Sequence, residues 1–178
     1  MTRRTLAFAA LAGVLATLGC LSLPPAPLSV KLFDANGRFV GFVDILERKP
    51  GVRLQVHTRD LPGGLHGFHI HEFPVCNAPG FDSAGAHFNP LGKQHGTQNP
   101  LGHHAGDLPN ITLGTTDWAD TTIDLADVKL DEGATGLFRK GGTSLVIHEA
   151  PDDEMTDPSG NAGARIACGV VRKVPEVR

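Results

Sequence analysis

The stretch Gly64-Leu65-His66-Gly67-Phe68-His69-Ile70-His71-Glu72 constrains this chain more than any other. In an extended strand successive side chains point to opposite faces, so His69 and His71 look one way while Phe68 and Ile70 look the other. The apolar pair reads as core. Two imidazoles held two residues apart on one rigid element can grip a single ion, and imidazole suits copper or zinc. The same pair also occurs as two solvated surface histidines, so the rest of the histidine inventory has to decide.

That inventory is clustered. The chain has nine histidines and no tyrosine, and most of the histidines stand in short glycine- or proline-rich contexts. Gly85-Ala86-His87-Phe88-Asn89-Pro90 supplies one, Lys93-Gln94-His95-Gly96 another, His103-His104-Ala105-Gly106-Asp107 two more with a carboxylate, and Leu145-Val146-Ile147-His148-Glu149 the last. A metal centre gathers such a set for a reason; chance seldom does.

The body of the chain is β in pattern. Leu28, Val30 and Leu32 alternate; Asn36-Gly37 is a strong hairpin signal, and Phe39 to Leu46 makes the partner strand. After Pro50-Gly51, Val52, Leu54 and Val56 alternate with Arg53, Gln55 and His57, a strand with one face in water. His57 is then a solvent-facing residue. Further strands are expected around 121–125, 143–148 and 164–171. From Phe73 to Gly114 no periodicity is sustained, too long for an ordinary connection, and this loop carries four of the histidines. A second long loop, Ala150 to Gly163, is polar and acidic. With 22 glycines and 13 prolines in 178 residues, turns and loops are favoured over helices, and a chain of this length buries a core without many staples. No nucleotide fingerprint and no basic stripe points to nucleic acid.

The N-terminus reads as an export segment. Arg3 and Arg4 precede an apolar run from Leu6 to Leu18, the length of a signal-peptide core and short for a membrane span. The two arginines suit both the twin-arginine and the general secretory route, and the sequence leaves the route open. Three cysteines in an exported protein leave one unpaired. Cys20 stands where the signal ends, and Leu18-Gly19-Cys20 resembles a bacterial lipobox, with Thr17 departing from its usual leucine. The division expected is residues 1–19 as signal peptide, 20–27 as a lipidated, proline-rich tether, and 28–178 as one domain. Its location would be the periplasm or cell envelope, with a membrane anchor through Cys20.

Gly64 to Glu72, Gly85 to Pro90, His104 to Asn110 and Gly160 to Val170, agreeing in order and spacing, resemble the copper,zinc superoxide dismutase family. The resemblance spans Leu28 to Val171. It implies an all-β fold, an eight-stranded antiparallel Greek-key barrel with two long functional loops, and superoxide as the small-molecule substrate. It implies copper on His69, His71, His87 and His148, and zinc on His87, His95, His104 and Asp107, with His87 bridging both ions. The spacing His104-x-x-Asp107 and the nine-residue step from His95 match the family's zinc motif, so the resemblance implies His104 and not His103. His66 matches a histidine that ties loop to barrel, and Asp152 a carboxylate linking a copper ligand to a zinc ligand.

The resemblance further implies a Cys76–Cys168 disulfide and makes Arg165 the cation beside the copper, with Arg165 and His87 the catalytic pair. The 150–163 loop lacks the family's usual lysines, and Lys93 is a candidate for their role. A non-catalytic copper- and zinc-binding module of the same fold is the alternative to an enzyme, and a zinc hydrolase a more distant one. Members of the family pair through different faces, and no patch in the sequence decides whether this chain forms a homodimer. The formal charge is −3. Without residues 1–19 it is 14 basic against 19 acidic side chains, or −5, so any attraction of an anion has to be local.

Overall fold

The computed structural model describes residues 26–115 and 117–174; the expected signal segment and Cys20 lie outside them. Strands β1 (Leu28–Asp34), β2 (Phe39–Glu47) and β3 (Val52–Thr58) form an antiparallel meander. The Asn36-Gly37 turn is held by Asp34, whose carboxylate accepts from the Asn36 and Arg38 amides and from Arg38 Nε. Burial alternates along β1 and β3, as period two requires of a sheet with one wet face. His57 lies on the wet face, stacked on Phe42 and hydrogen-bonded to Asp120.

The histidine motif forms two strands. Β4 (Gly64–His66) pairs with β6 (Ile111–Leu113), whereas β5 (Phe68–His71) pairs with β8 (Thr143–His148). The break is at Gly67, whose N–H donates to Ala150 O and whose carbonyl accepts from the His148 amide at 2.8 Å. A Cβ at Gly67 would stand 2.9 Å from Ala162 Cβ, so a side chain would push the second loop off the strand.

With β7 (Ala119–Leu125) and β9 (Arg165–Val171), the main sheet runs β5-β8-β9-β1-β2-β3-β7, all neighbours antiparallel, and β4-β6 is a separate ribbon. This corrects the expected closed eight-stranded Greek-key barrel. The sheet is an open, curled half-barrel, and among the described residues no ladder joins its end strands β5 and β7. The reason is the split at Gly67: the strand that would have continued the sheet hands half its length to the ribbon.

Inside the curl lie Leu32, Val43, Ile45, Leu54, Phe68, Ile70, Leu145 and Ile147, all fully buried. At roughly 1.5–3 kcal/mol for each such side chain, this core holds β5 and β8 rigid. The opposite face of β5 and β8 is buried as well, by the loop between β5 and β6 and the loop between β8 and β9. There sit His69, His71, Ser144, Val146 and His148, with Cys168 of β9 paired to Val146. Cys76 and Cys168 are bridged, with Cα atoms 5.8 Å apart and a sequence separation of 92. Closing a loop of that length stabilises by about 4.5 kcal/mol on the chain-entropy account.

Candidate metal centre

Two groups of donors converge under the loops. His69, His71, His87 and His148 form one, and His87, His95, His104 and Asp107 the other; in each, the donor atoms lie within 4.8 Å of one another, and all seven residues are buried.

In the first group each outer nitrogen is already committed. His69 Nε2 donates to Asp152 Oδ2 at 2.6 Å, His71 Nδ1 to Gly85 O at 3.0 Å, and His148 Nδ1 to Gly163 O at 3.2 Å. These bonds fix ring orientation and tautomer, leaving His69 Nδ1, His71 Nε2 and His148 Nε2 with bare lone pairs facing inward. His71 Nε2 and His148 Nε2 stand 3.4 Å apart. His69 Nδ1 and His87 Nε2 are buried with no hydrogen-bond partner among the described residues. Such orphaned acceptors cost about 1–3 kcal/mol each, and a cation bound by four imidazoles removes the cost. The set fits copper.

In the second group three imidazole Nδ1 atoms point at one oxygen. His87, His95 and His104 reach Asp107 Oδ1 at 2.8, 2.9 and 3.1 Å. Four ligands around one ion at about 2.0–2.2 Å in a tetrahedron lie roughly 3.3 Å apart, so this packing is close to that of a closed zinc shell. Asp107 Oδ2 accepts from the Gly96 and His104 amides, which pins the carboxylate to its loop. His87 differs from every other histidine here. Neither of its ring nitrogens turns outward: Nδ1 belongs to the second group and Nε2 to the first.

Charge follows the same division. Burial pushes His87 down to about 4 and His148 to about 3, and holds His71 well below the usual imidazole range. These rings stay neutral at neutral pH, as metal ligands must. Burial opposes charge on His95 too, but hydrogen bonds to Asp107 and Asp152 outweigh it and raise His95 to about 9. Burial likewise works against charge on Asp107 and Asp152; the histidine donors win and keep both well below the carboxylate range.

The sequence profile of the copper/zinc superoxide dismutase (SODC) family matches residues 39–171. The chain belongs to that family. Superoxide dismutase [Cu-Zn] 2 of Aquifex aeolicus is 44% identical over 172 residues, covering 91% of this chain and 98% of that relative. Among solved structures, a SOD-like protein from Bacillus subtilis matches with a TM-score of 0.76 at 42% identity, over 80% of this chain and 96% of that one. Cu/Zn superoxide dismutase from Brucella abortus matches with a TM-score of 0.66 at 30% identity, over 82% and 99%. The two clusters match the copper and zinc sites of this family of oxidoreductases.

Around the dismutase centre the remaining residues have distinct places. Asp152 spans the two groups, with Oδ2 on His69 and Oδ1 on His95 Nε2 at 3.0 Å. Gly160 makes room for it: φ is +62°, and a Cβ would stand 1.7 Å from Asp152 Oδ1. Asn110, singled out by no sequence argument, exchanges two hydrogen bonds with the Asp152 backbone, at 2.7 and 2.8 Å. Its position in the His104 to Asn110 motif was the available signal. His66 Nδ1 donates to His148 O at 2.8 Å, tying β4 to a cluster residue. His103 is exposed outside both groups and bonds to His104 O.

Arg165 owes its place to a bulge. Ile147 pairs with Ala167, but His148 pairs with Arg165, so one residue of β9 is skipped and Arg165 is brought opposite the histidine. Its Nη1 and Nη2 donate to the carbonyls of Phe81 and Gly85, both at 2.7 Å. Gly85 O thus serves Arg165 and His71 together. Phe81 is fully buried with Ala84, Val146 and Cys168, beside Cys76, in a small core beneath the loop. Lys93 and Arg165 line different cavities. The lysine is exposed on a cavity with His103 and Lys129, whereas Arg139 and Lys140 share a cavity of about 290 Å³ with His87.

Proposed function

We propose that this dismutase converts superoxide to oxygen and hydrogen peroxide outside the cytoplasm, anchored to a membrane through a lipid on Cys20. The observation that carries the chemistry is His87, one ring shared by two otherwise complete ligand sets. A metal-binding module without catalysis would be indicated by a missing ligand or a missing cation, and here all seven cluster residues and Arg165 are present. A zinc hydrolase needs an open zinc position, and His87, His95, His104 and Asp107 make a closed set.

His69, His71, His87 and His148 would hold copper, which would supply the one-electron exchange that converts one superoxide to oxygen and another to peroxide; zinc held by His87, His95, His104 and Asp107 would supply no redox chemistry. The protein's own part is to bind the anion and to handle protons. Arg165 keeps a fixed charge and three N–H donors beyond the two that anchor it, so it can receive a small anion. His87 Nε2 is placed to take up a proton in one half-reaction and to release it to the reduced oxygen in the other, while Nδ1 stays in the Asp107 group. Water supplies the second proton of hydrogen peroxide. Asp152, bonded to His69 and His95, keeps the two groups in one geometry throughout.

Export and anchoring rest on Arg3, Arg4, the 6–18 apolar run and the unpaired Cys20. The Cys76–Cys168 bridge suits an oxidising compartment. With residues 1–19 removed, Cys20 would be the lipid-bearing first residue. The chemistry is tested by loading the protein with copper and zinc and following superoxide by pulse radiolysis; consumption no faster than with metal-free protein would refute it. Membrane fractionation of the parent and Cys20→Ser tests the anchor, and an unmodified N-terminus beyond residue 20 by mass spectrometry would end it.

A further inference from the structure

Arg165 opens onto a cavity of about 420 Å³ lined by Pro79, Gly80, Asp82, Gly163, Ala164 and the arginine itself. One acid on that wall stands out. Asp82 is the first residue of the 3-10 turn Asp82–Ala84, and the carbonyls that Arg165 grips, of Phe81 and Gly85, flank this turn on either side. The arginine therefore holds the turn whose first side chain shares its cavity.

Among the described residues nothing holds the Asp82 carboxylate. The residue is exposed, and among the described residues it closes no ion pair within 4 Å. Its charge still reaches Arg165: burial loosens the guanidinium's hold on its proton, and Asp82 opposes that. Glu149 adds a second exposed acid beside Gly163. An anion arriving at Arg165 thus meets a cation and an uncommitted carboxylate on the same small cavity. Repulsion from a fixed charge grows with the charge of the incoming ion, so a divalent anion is penalised about twice as much as a monovalent one.

We propose that Asp82 is a specificity-determining charge beside Arg165, slowing entry of superoxide while excluding competing anions, those of higher charge most. This rests on the dismutase reading for its substrate, but the effect on anions does not. The proteins to compare are the copper- and zinc-loaded parent, Asp82→Asn, Asp82→Ser and the charge-retaining Asp82→Glu.

At low ionic strength the rate constant for superoxide is expected to rise about two- to threefold in the Asn and Ser variants. The difference should close as salt shortens the Debye length from about 30 Å at 0.01 M toward 3 Å at 1 M. Azide affinity, followed through the copper absorption band, is expected to rise by a similar factor. Phosphate at constant ionic strength should inhibit both neutral variants more than the parent, by a larger factor than azide gains. Asp82→Glu is expected to keep parent values throughout. Equal rate constants and equal azide affinities at low salt would overturn the proposal, as would a difference that persists at high salt, which would assign the effect to shape instead of charge. If the parent consumes no superoxide the dismutase reading fails, and the azide and phosphate measurements still decide the role of Asp82.

Discussion

The two donor groups share a residue yet are built in opposite ways. Three of the four histidines of the copper-type group stand on or at the end of core strands, His69 and His71 on β5 and His148 on β8. The zinc-type group stands entirely on the loop between β5 and β6. In the first, burial keeps His71, His87 and His148 uncharged; the second is organised by one ionised carboxylate that gathers three rings. A strand-borne site is positioned by the hydrophobic core whether or not a metal is present. A loop-borne site has no core of its own and depends on polar bonds and on the ion for its order.

That contrast can be broken by mutation. His148→Ala should produce the largest effect: activity falls by more than about a thousandfold, since a ligand of the redox ion is gone, while zinc stoichiometry and the circular dichroism of the sheet stay as in the parent. Full activity would remove His148 from the copper set. Asp107→Ala should do the reverse, losing zinc first and thermal stability with it. Zinc bound only by the folded state at a thousand times its dissociation constant contributes about 4 kcal/mol, and calorimetry with metal analysis reads both losses. Unchanged zinc content would show that the carboxylate does not organise the loop.

Asp152→Ala touches both groups, because it frees His69 Nε2 and His95 Nε2 together. Outer partners of this kind are worth about 10- to 100-fold in metal affinity, and competition with a chelator should show both metals weakened. Weakening of one alone would mean the two groups are independent.

The smallest expected effect separates the groups by pH in the metal-free protein. His87 and His148 have folded values lowered to about 4 and about 3. Their contribution is therefore complete above the unfolded value near 6.5 and is lost as pH falls through the folded values. His95 is raised to about 9, so its contribution is complete below about 6.5 and is lost as pH rises through 9. Melting temperature should fall by a few degrees on each side of neutrality. His95→Asn should flatten the alkaline limb and leave the limb below pH 6 in place. A parent with no alkaline limb would contradict the account of His95.

Strands β1, β2, β3, β8 and β9 were legible from the sequence because alternation and turn residues are local, and local geometry decides them. The donor set was legible for a different reason: ligand chemistry restricts residue types, and the resemblance to the family's zinc motif, matched by the spacing His104-x-x-Asp107, favours His104 over His103. Other features depend on neighbours far along the chain. The split at Gly67 exists because Ala150, Ala162 and His148 approach it there, and the open sheet follows from that split. The bulge that sets Arg165 opposite His148 is a property of the β8–β9 register.

What the sequence by itself determined is which residues can hold metal and which strands carry them, because side-chain chemistry and period two are properties of single residues and their near neighbours. Only the tertiary structure decided which nitrogen of each histidine turns inward, that Asn110 braces the Asp152 backbone, and that Asp82 shares a cavity with Arg165. Each of those is settled by a hydrogen-bond partner or a wall residue supplied by another segment, and chain order carries no record of such approaches.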